Sequence, residues 1–399
     1  MSNSNPKILE SDNKEYKING KIHMMKYTFN EKPLCILNSI RRILLSEIPI
    51  IGLELEDNNS VIKVNNSPIH NEYLQLRVGL IPIYYSKIEN CNIISEWKDN
   101  KRIYRLKNTG SHTFIIKNGN GNEDVKYSNL YKGDKKLEIT NEYINKIKEK
   151  QIKEKQININ LMSYVMSHNH TVTSNEIGLT VGRGIENSRF SPISYFSWEF
   201  MDKSTFENER DYELGKFGND PKTVIMKLKS NHMRPDKLYE HSIIILKQKL
   251  YDIYKYKLDN DNLCMFDDVK SDYESVTMIL KDENDTIGNL LSQMGKYYLI
   301  DDKKYLNFIT YKITHPLEND IMIRCSIKNE DIFKMATDSH KEYTDNSDEE
   351  RYRLYKLFVK DYIKDLIKYI LHDFLKVDIG KLDNGDTGSL FNDYITNEN

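Results

Sequence analysis

The chain has 399 residues, with 58 basic and 60 acidic side chains, a formal net charge of −2 and no long basic block. That length holds two or three domains of ordinary size. The charge balance excludes phosphate neutralisation as the main business of the surface as a whole and argues against a primary nucleic-acid binder, leaving room for a local basic patch.

The amino-terminal MSNSNPKILESDNKEY lacks the apolar core of a signal peptide. The longest apolar runs, such as Ile243 to Leu246, fall far short of a membrane span, so a soluble, intracellular protein is predicted. Cys35, Cys91, Cys264 and Cys325 are scattered with no CxxC pair, which argues against a disulfide framework and a cysteine-rich zinc site. Ala336 is the sole alanine, while Lys, Asn, Ile and Tyr abound, as in an AT-rich coding sequence.

In chain order, residues 1–15 read as a flexible terminus, and Glu15 to Phe29 as a strand turning at Asn19-Gly20. A helix, LCILNSIRRILLSEIP, follows, with Asn30 as predicted N-cap, Pro33 in its first turn and Pro49 as its stop. From Asp57 to Thr173 the texture is short strands, loops and the charged INKIKEKQIKEKQI, with NGNGN at 118–122 as a hairpin or loop signal. Strand patterns return at Asn175–Gly182, Ile193–Phe200 and Thr223–Leu228.

A helix over 235–257 presents Leu238, Ile245, Leu246, Leu250 and Ile253 at helical spacing. Ser275–Leu280 reads as a strand, Asp285-Thr286 as a cap for the helix TIGNLLSQM, and FITYKI and DIMIRCSI as two more strands. Lys334–Glu350 reads as a polar linker, Arg351–Val377 as an amphipathic helix of about 40 Å, and residues 378–399 as a mobile tail. The order strand, helix, strands, helix thus occurs twice, with a β-rich insertion in the first copy and no residue similarity between copies.

Projected as a helix, Leu34, Ile36, Leu37, Ile40, Ile43, Leu44, Leu45 and Ile48 fill an arc of roughly 200°, wider than the ~100° stripe of a surface helix. Such a helix touches two bodies. Its narrow polar face holds Cys35, Asn38, Ser39, Arg42 and Ser46, with Arg42 central. Arg41 falls inside the apolar arc, where a guanidinium needs a carboxylate, carbonyls or a snorkelling route. Arginine suits paired interface positions, so the pattern predicts an interaction helix.

Other motifs are weaker. His168-Asn169-His170 lacks a third metal ligand and the rest of a nuclease motif. Gly182-Arg183-Gly184 is a tight turn rather than a phosphate loop, having no third glycine or GK[ST]. His315-Pro316 sits in a strand-to-turn context that favours a structural contact.

The stretch Asn38 to Pro49, NSIRRILLSEIP, resembles the signature helix of the alpha-like subunits of multisubunit RNA polymerases. Asn71 to Pro82 (NEYLQLRVGLIP) and Gly184 to Pro192 (GIENSRFSP) are similar to two further segments of the larger alpha-like subunit. Asp285 to Leu291 (DTIGNLL) and Tyr311 to Glu318 (YKITHPLE) resemble the smaller one. The resemblance covers about residues 16–376 and implies that two normally separate chains are fused, as in large cytoplasmic DNA viruses. Host cytoplasm and virion are the implied locations. Leu76 and Asn187 stand where the family has histidines, the inserted domain lacks the cysteine-rich metal loop, and no bacterial-type DNA-binding domain is recognisable.

The implied fold is α+β: two alpha-like dimerisation modules, antiparallel sheets with packed helices, related by a pseudo-twofold. The larger module takes residues 16–56 and 174–262, the inserted β-rich domain 57–173 and the smaller module 263–377. The implied function is a non-catalytic platform for the largest and second-largest polymerase subunits and a small zinc-ribbon-type subunit. No catalytic residue, metal, cofactor, strong DNA binding, membrane contact or homodimer is implied.

The projection and the resemblance assign large-subunit contact to Asn38, Ser39, Arg42, Ser46, Arg183 and Arg189. They assign the inter-module interface to Leu37, Ile40, Arg41, Leu44, Leu246, Leu250, Asp285, Thr286, Gly288, Asn289, Leu290, His315, Pro316, Phe358 and Ile367. Gly79, Pro82, Gly182, Gly184, Ser191 and Pro192 are structural motif positions. The rival readings are a free-standing scaffold or assembly factor and a direct promoter-DNA binder, for which near-neutral charge predicts little duplex affinity.

Overall fold

Alternation of apolar and polar residues sets the first hairpin, β1 (Asn13–Asn19) and β2 (Ile22–Asn30), paired antiparallel in the register Asn19 to Ile22. From Met25 onward, alternate residues of β2 point inward, and Tyr27 and Phe29 are fully buried. The computed structural model describes residues 13–19, 22–30, 33–53, 62–65, 91–98, 101–108, 115–117, 124–126, 172–174, 179–200, 223–230, 235–266, 275–315, 318–328, 332–339, 341–344 and 347–377, with His70, Glu72, Tyr73, Leu76, Gly79, Leu80 and His232.

Helix α1 (Leu34–Ser46) is followed by β3 (Ile50–Leu53). Within the insertion, β4 (Ile62–Asn65) pairs with β9 (Val172–Ser174), β5 (Cys91–Lys98) with β6 (Lys101–Asn108), and β7 (Ile115–Lys117) with β8 (Asp124–Lys126). The chain returns through β10 (Leu179–Gly182), which pairs with β3. It then forms β11 (Tyr195–Phe200), β12 (Thr223–Lys229) and helix α2 (Pro235–Asp252). Among these, β1, β2, β12 and β11 form one antiparallel sheet in that order.

The second half repeats the plan. It runs β13 (Cys264–Phe266), β14 (Ser275–Leu280), α3 (Asp285–Gly295), β15 (Leu306–Ile313), β16 (Ile321–Ile327), α4 (Ile332–Asp338) and α5 (Asp348–Tyr369). Its antiparallel sheet has the order β13-β14-β16-β15. In both sheets the strand before the first helix lies beside the strand that precedes the closing helical segment. Each final helix also runs out into five π-helical residues, Ile253–Lys257 and Ile370–Phe374. The amide of the next leucine, Leu258 or Leu375, bonds back to the opening isoleucine carbonyl at 3.1 or 3.0 Å.

The fold is α+β. One contiguous apolar core, from Met25 to Val377, runs through both halves. Helix α1 packs on α2 and α3, and α3 on α5. Fully burying each Leu or Ile of these faces contributes about 1.5–3 kcal/mol. No helix of the described residues is long and apolar enough to cross a membrane.

Several local expectations need correction. Helix α1 begins at Leu34 with Pro33, not Asn30, at the N-cap. Asn30 instead ends β2, where its Oδ1 accepts from Thr223 Oγ1 at 3.0 Å. Helix α3 is capped by Asn284, whose Oδ1 accepts from the Thr286 amide, rather than by Asp285-Thr286. The supposed linker 334–350 holds most of α4 and the start of α5, and Ala336 is fully buried. A seven-residue helix is too short for its period to show. INKIKEKQIKEKQI, NGNGN, His168–His170, Pro82, Pro316 and the tail lie outside the described residues.

Gly288, inside α3, lets the Tyr311 ring of β15 lie against the helix: an added Cβ would stand 2.9 Å from Tyr311 Cε2. Alanine normally favours a helix interior over glycine by about 1 kcal/mol. Here Gly288→Ala is expected to destabilise by about 1–3 kcal/mol through overpacking. In a Tyr311→Ser background the same substitution is expected to stabilise, and urea denaturation of the four variants reads both signs.

Candidate functional site

The helix ends that meet inside the shared core carry polar groups that must be satisfied there. Four consecutive residues of the second half, Glu283 to Thr286, each meet a different residue of the first. Glu283 Oε1 accepts from Lys257 Nζ at 2.6 Å, and both side chains are only 4% exposed. The same ammonium donates to the carbonyls of Lys281 (2.9 Å) and Asp282 (3.1 Å), so all three of its protons are used. Asn284 caps α3 with its oxygen and donates its Nδ2 to Glu47 Oε1 at 3.0 Å. Asp285 faces Arg42 at 3.7 Å. The Thr286 carbonyl lies 3.5 Å from Ser39 Oγ, which also donates to the Cys35 carbonyl at 2.8 Å.

Glu47 is the C-cap residue of α1 and is 3% exposed. Burial pushes its carboxyl upward, but the charge and hydrogen bond of Lys249, 2.6 Å away, together with the Asn284 amide, outweigh that and hold it below the usual range. Burial, then Asp285, to which it hydrogen-bonds, push the Tyr311 phenol up. Asp285 therefore links Arg42 of α1 to β15. Burial and the like charge of Arg42 lower Arg41.

The same C-terminal end of α1 is also held by the turn 183–192. The Ile185 amide donates to the Ser46 carbonyl at 2.7 Å, and Ser191 Oγ to the Leu45 carbonyl at 3.1 Å, which satisfies two orphan carbonyls of the helix end. Gly184 permits this approach, since a Cβ there would stand 2.9 Å from the Leu45 carbonyl oxygen. Phe190 lies over Gly52 and Gly182 of β3 and β10, and Arg189 sits 4.5 Å over its ring. Arg183 pairs with Glu186 at 2.7 Å.

A third tie uses the lysines of α5, which recur every four residues. Lys364 Nζ bonds both oxygens of Asp259, at 2.7 and 2.9 Å, and Lys360 lies 3.7 Å from Asp261. Lys356 and Lys360 stand 5.7 and 5.5 Å over Phe266, and Lys368 5.4 Å over Tyr254. The last helix thereby grips the segment that joins the halves.

Of the residues singled out in sequence, Leu37, Ile40, Leu44, Leu246, Leu250, Leu290 and Ile367 are buried in the shared core, with Phe358 beside them. Asp285 and Thr286 line the seam described above, Gly288 packs against Tyr311 within the second half, and Asn289 is half-buried. His315 is exposed at the end of β15, and its carbonyl accepts from the Glu318 amide at 3.1 Å. Gly79 is buried, and Pro192 accepts at its carbonyl from Ser230.

The projected polar face of α1 is displaced. Ser39 is 2% exposed and belongs to the inner face, whereas Leu34 and Leu45 are half-buried on the outer one. Arg41 and Arg42 flank that outer face, Arg41 donating from Nε to Asn38 Oδ1 at 2.9 Å. Ser46 turns back to the Arg42 carbonyl at 2.9 Å. Glu47, Lys249, Lys257, Glu283 and Asn284 carry the seam without having stood out as site residues. A charge inside an apolar period at Glu47 is the one local signal, because Lys257 and Glu283 are neighbours only through the fold. Among the described residues no group of three or more His, Cys, Asp or Glu can hold a metal ion.

Glu47 yields a pH prediction. Its folded-state pKa lies below its unfolded value, so its contribution is complete above the ordinary carboxylate range and is lost as pH falls through the folded value. Unfolding midpoints measured from neutral to acid pH are expected to fall less steeply in Glu47→Gln than in the wild type. At neutral pH that variant is expected to be less stable by about 1–3 kcal/mol.

Residues 275–350, from β14 to the first turn of α5, match the family model described as the RNA polymerase Rpb3/Rpb11 dimerisation domain. The chain is 33% identical over 58 residues to the DNA-directed RNA polymerases II, IV and V subunit 3 of Arabidopsis thaliana, covering 14% of this chain and 17% of that protein. It is 35% identical over 63 residues to the DNA-directed RNA polymerase II subunit RPB3 of Schizosaccharomyces pombe, covering 16% and 20%. A conjugation stage-specific protein of Tetrahymena thermophila is 35% identical over 69 residues, covering 17% and 21%. The matches thus span about a fifth of the length of these relatives. The chain carries a dimerisation segment similar to those of RNA polymerase alpha-like subunits.

Proposed function

We propose that the chain is a non-catalytic core subunit of a DNA-directed RNA polymerase, holding a larger and a smaller alpha-like module in one polypeptide. It serves as the assembly platform for the largest and second-largest subunits, with a small zinc-ribbon-type subunit as a further partner. The observation that carries this reading is the dimerisation-domain match over residues 275–350, lying in one of two halves with the same strand order. Shared connectivity and a seam between α1 and α3 support a pseudo-twofold relation between the modules. Fusion of the two makes their pairing intramolecular, with an effective concentration on the order of millimolar. The fused arrangement and the alanine-poor composition favour a large cytoplasmic DNA virus as source, with the host cytoplasm and virion as location.

The outer face of α1 is the proposed contact with a large subunit, with Asn38, Arg42 and Ser46 beside the turn of Arg183 and Arg189. Arg42 is 39% exposed at its side chain, so its 3.7 Å pair with Asp285 leaves the guanidinium open to a second partner.

Purification of the tagged chain from its native source is expected to recover two very large chains in stoichiometric amount. Their absence would replace this reading with a free-standing scaffold or assembly factor. Arg42→Ala is expected to cost less than about 1 kcal/mol in the isolated protein, because half-exposed pairs are worth little. The same variant is expected to cut recovery of the large chains about tenfold. Unchanged recovery would remove Arg42 from the contact.

A further inference from the structure

Two halves with one topology face a pairing problem that two unlike modules do not. The first half of one copy can meet the first half of another, and the second can meet the second. We propose that the buried Lys257–Glu283 ion pair, seconded by Glu47 and Asn284, fixes unlike pairing within one chain and rejects like pairing between copies. This goes beyond the polymerase reading and does not depend on it.

The equivalences come from the elements themselves. Lys257 closes the five-residue π segment after α2, and Phe374 closes the one after α5, each followed by a leucine bonded back to the opening isoleucine. Asn284 is the N-cap of α3 and Pro33 that of α1, so Glu283 corresponds to Lys32. The C-cap residues are Glu47 for α1 and Lys296 for α3.

Like pairing of first halves would take from Lys257 the Glu283 carboxylate and the two carbonyls that now accept from it, and would leave Glu47 with Lys249 but without the Asn284 amide. Like pairing of second halves would leave Glu283 against the Phe374 ring. Each wrong arrangement leaves Lys257 or Glu283 buried with no counter-charge, and only the unlike arrangement sets the two against each other. A buried unmatched charge shifts an equilibrium on the order of a hundredfold or more. A buried ion pair adds little stability over an apolar pair of the same size, so its value here lies in choosing the partner.

The full chain is to be refolded from denaturant, with the dimerisation constant read by light scattering across micromolar concentrations and the denaturant midpoint on the same samples. K257E and E283K, each burying like charges, are expected to lose the monomer to dimers and aggregates. The charge swap K257E/E283K is expected to restore part of it, since the carboxylate at 257 would face the Lys281 and Asp282 carbonyls that now accept from Lys257. K257M/E283M is expected to keep a midpoint at or above wild type while dimerising about tenfold more tightly. Single variants that refold as monomers with the wild-type constant overturn the proposal, as does a charge swap that restores nothing. An apolar double variant as monomeric as wild type overturns it too. If that double variant does not fold, the charge-swap comparison decides alone.

Discussion

A lysine ammonium can be buried only where three acceptors converge on it, and Lys257 has found them in the loop that leads into α3. Those acceptors come from the second half, whereas Lys257 closes the last helix of the first. One cation thus ties the end of the first half to the loop before α3. Beside it lie the approach of Asn284 to Glu47, the facing of Asp285 and Arg42, and the crossing of α1 over α3 at Ser39 and Thr286. Apolar burial supplies most of the driving force, but it is non-directional and does not by itself choose this docking.

Distances of approach are set by small residues under large ones. Gly52 and Gly182 receive Phe190, Gly288 receives Tyr311 and Gly295 receives Ile309. Each contact fixes how near a strand or turn comes to its neighbour, and two of them border α1 or α3. Helix α1 is consequently held along its inner side by the 283–286 segment and at its end by the 183–192 turn. Among the described residues, Leu34, Asn38, Leu45 and the two arginines form a half-buried outward stripe on this support.

The alternation of β2 and the apolar period of α1, α2 and α5 were legible in sequence because each reports a single element facing a single core. Asp285 and Thr286 stood out in sequence only through their resemblance to a known dimerisation motif, and their contacts with Arg42 and Ser39 come from the fold. Ser39 was not: a small polar residue is equally at home in solvent and at a close helix crossing, and only the packing of α3 decides. Lys257 and Glu283 were illegible for a different reason. Their significance is purely mutual, and the fold that joins them leaves no mark in the spacing. Helix α4 was hidden by its brevity, its one buried alanine being too little to establish a period.

The insertion leaves and re-enters the first half through two short antiparallel ladders, β3 with β10 and β4 with β9. Paired strands hold the two ends of that excursion about 5 Å apart whatever lies between them. Chain added or removed beyond β4 and β9 then costs only the logarithm of its length in closure entropy. The two ladders are thus the points at which a change in the length of that excursion is absorbed, and the approach of β6 to β10 ties it further to the first half.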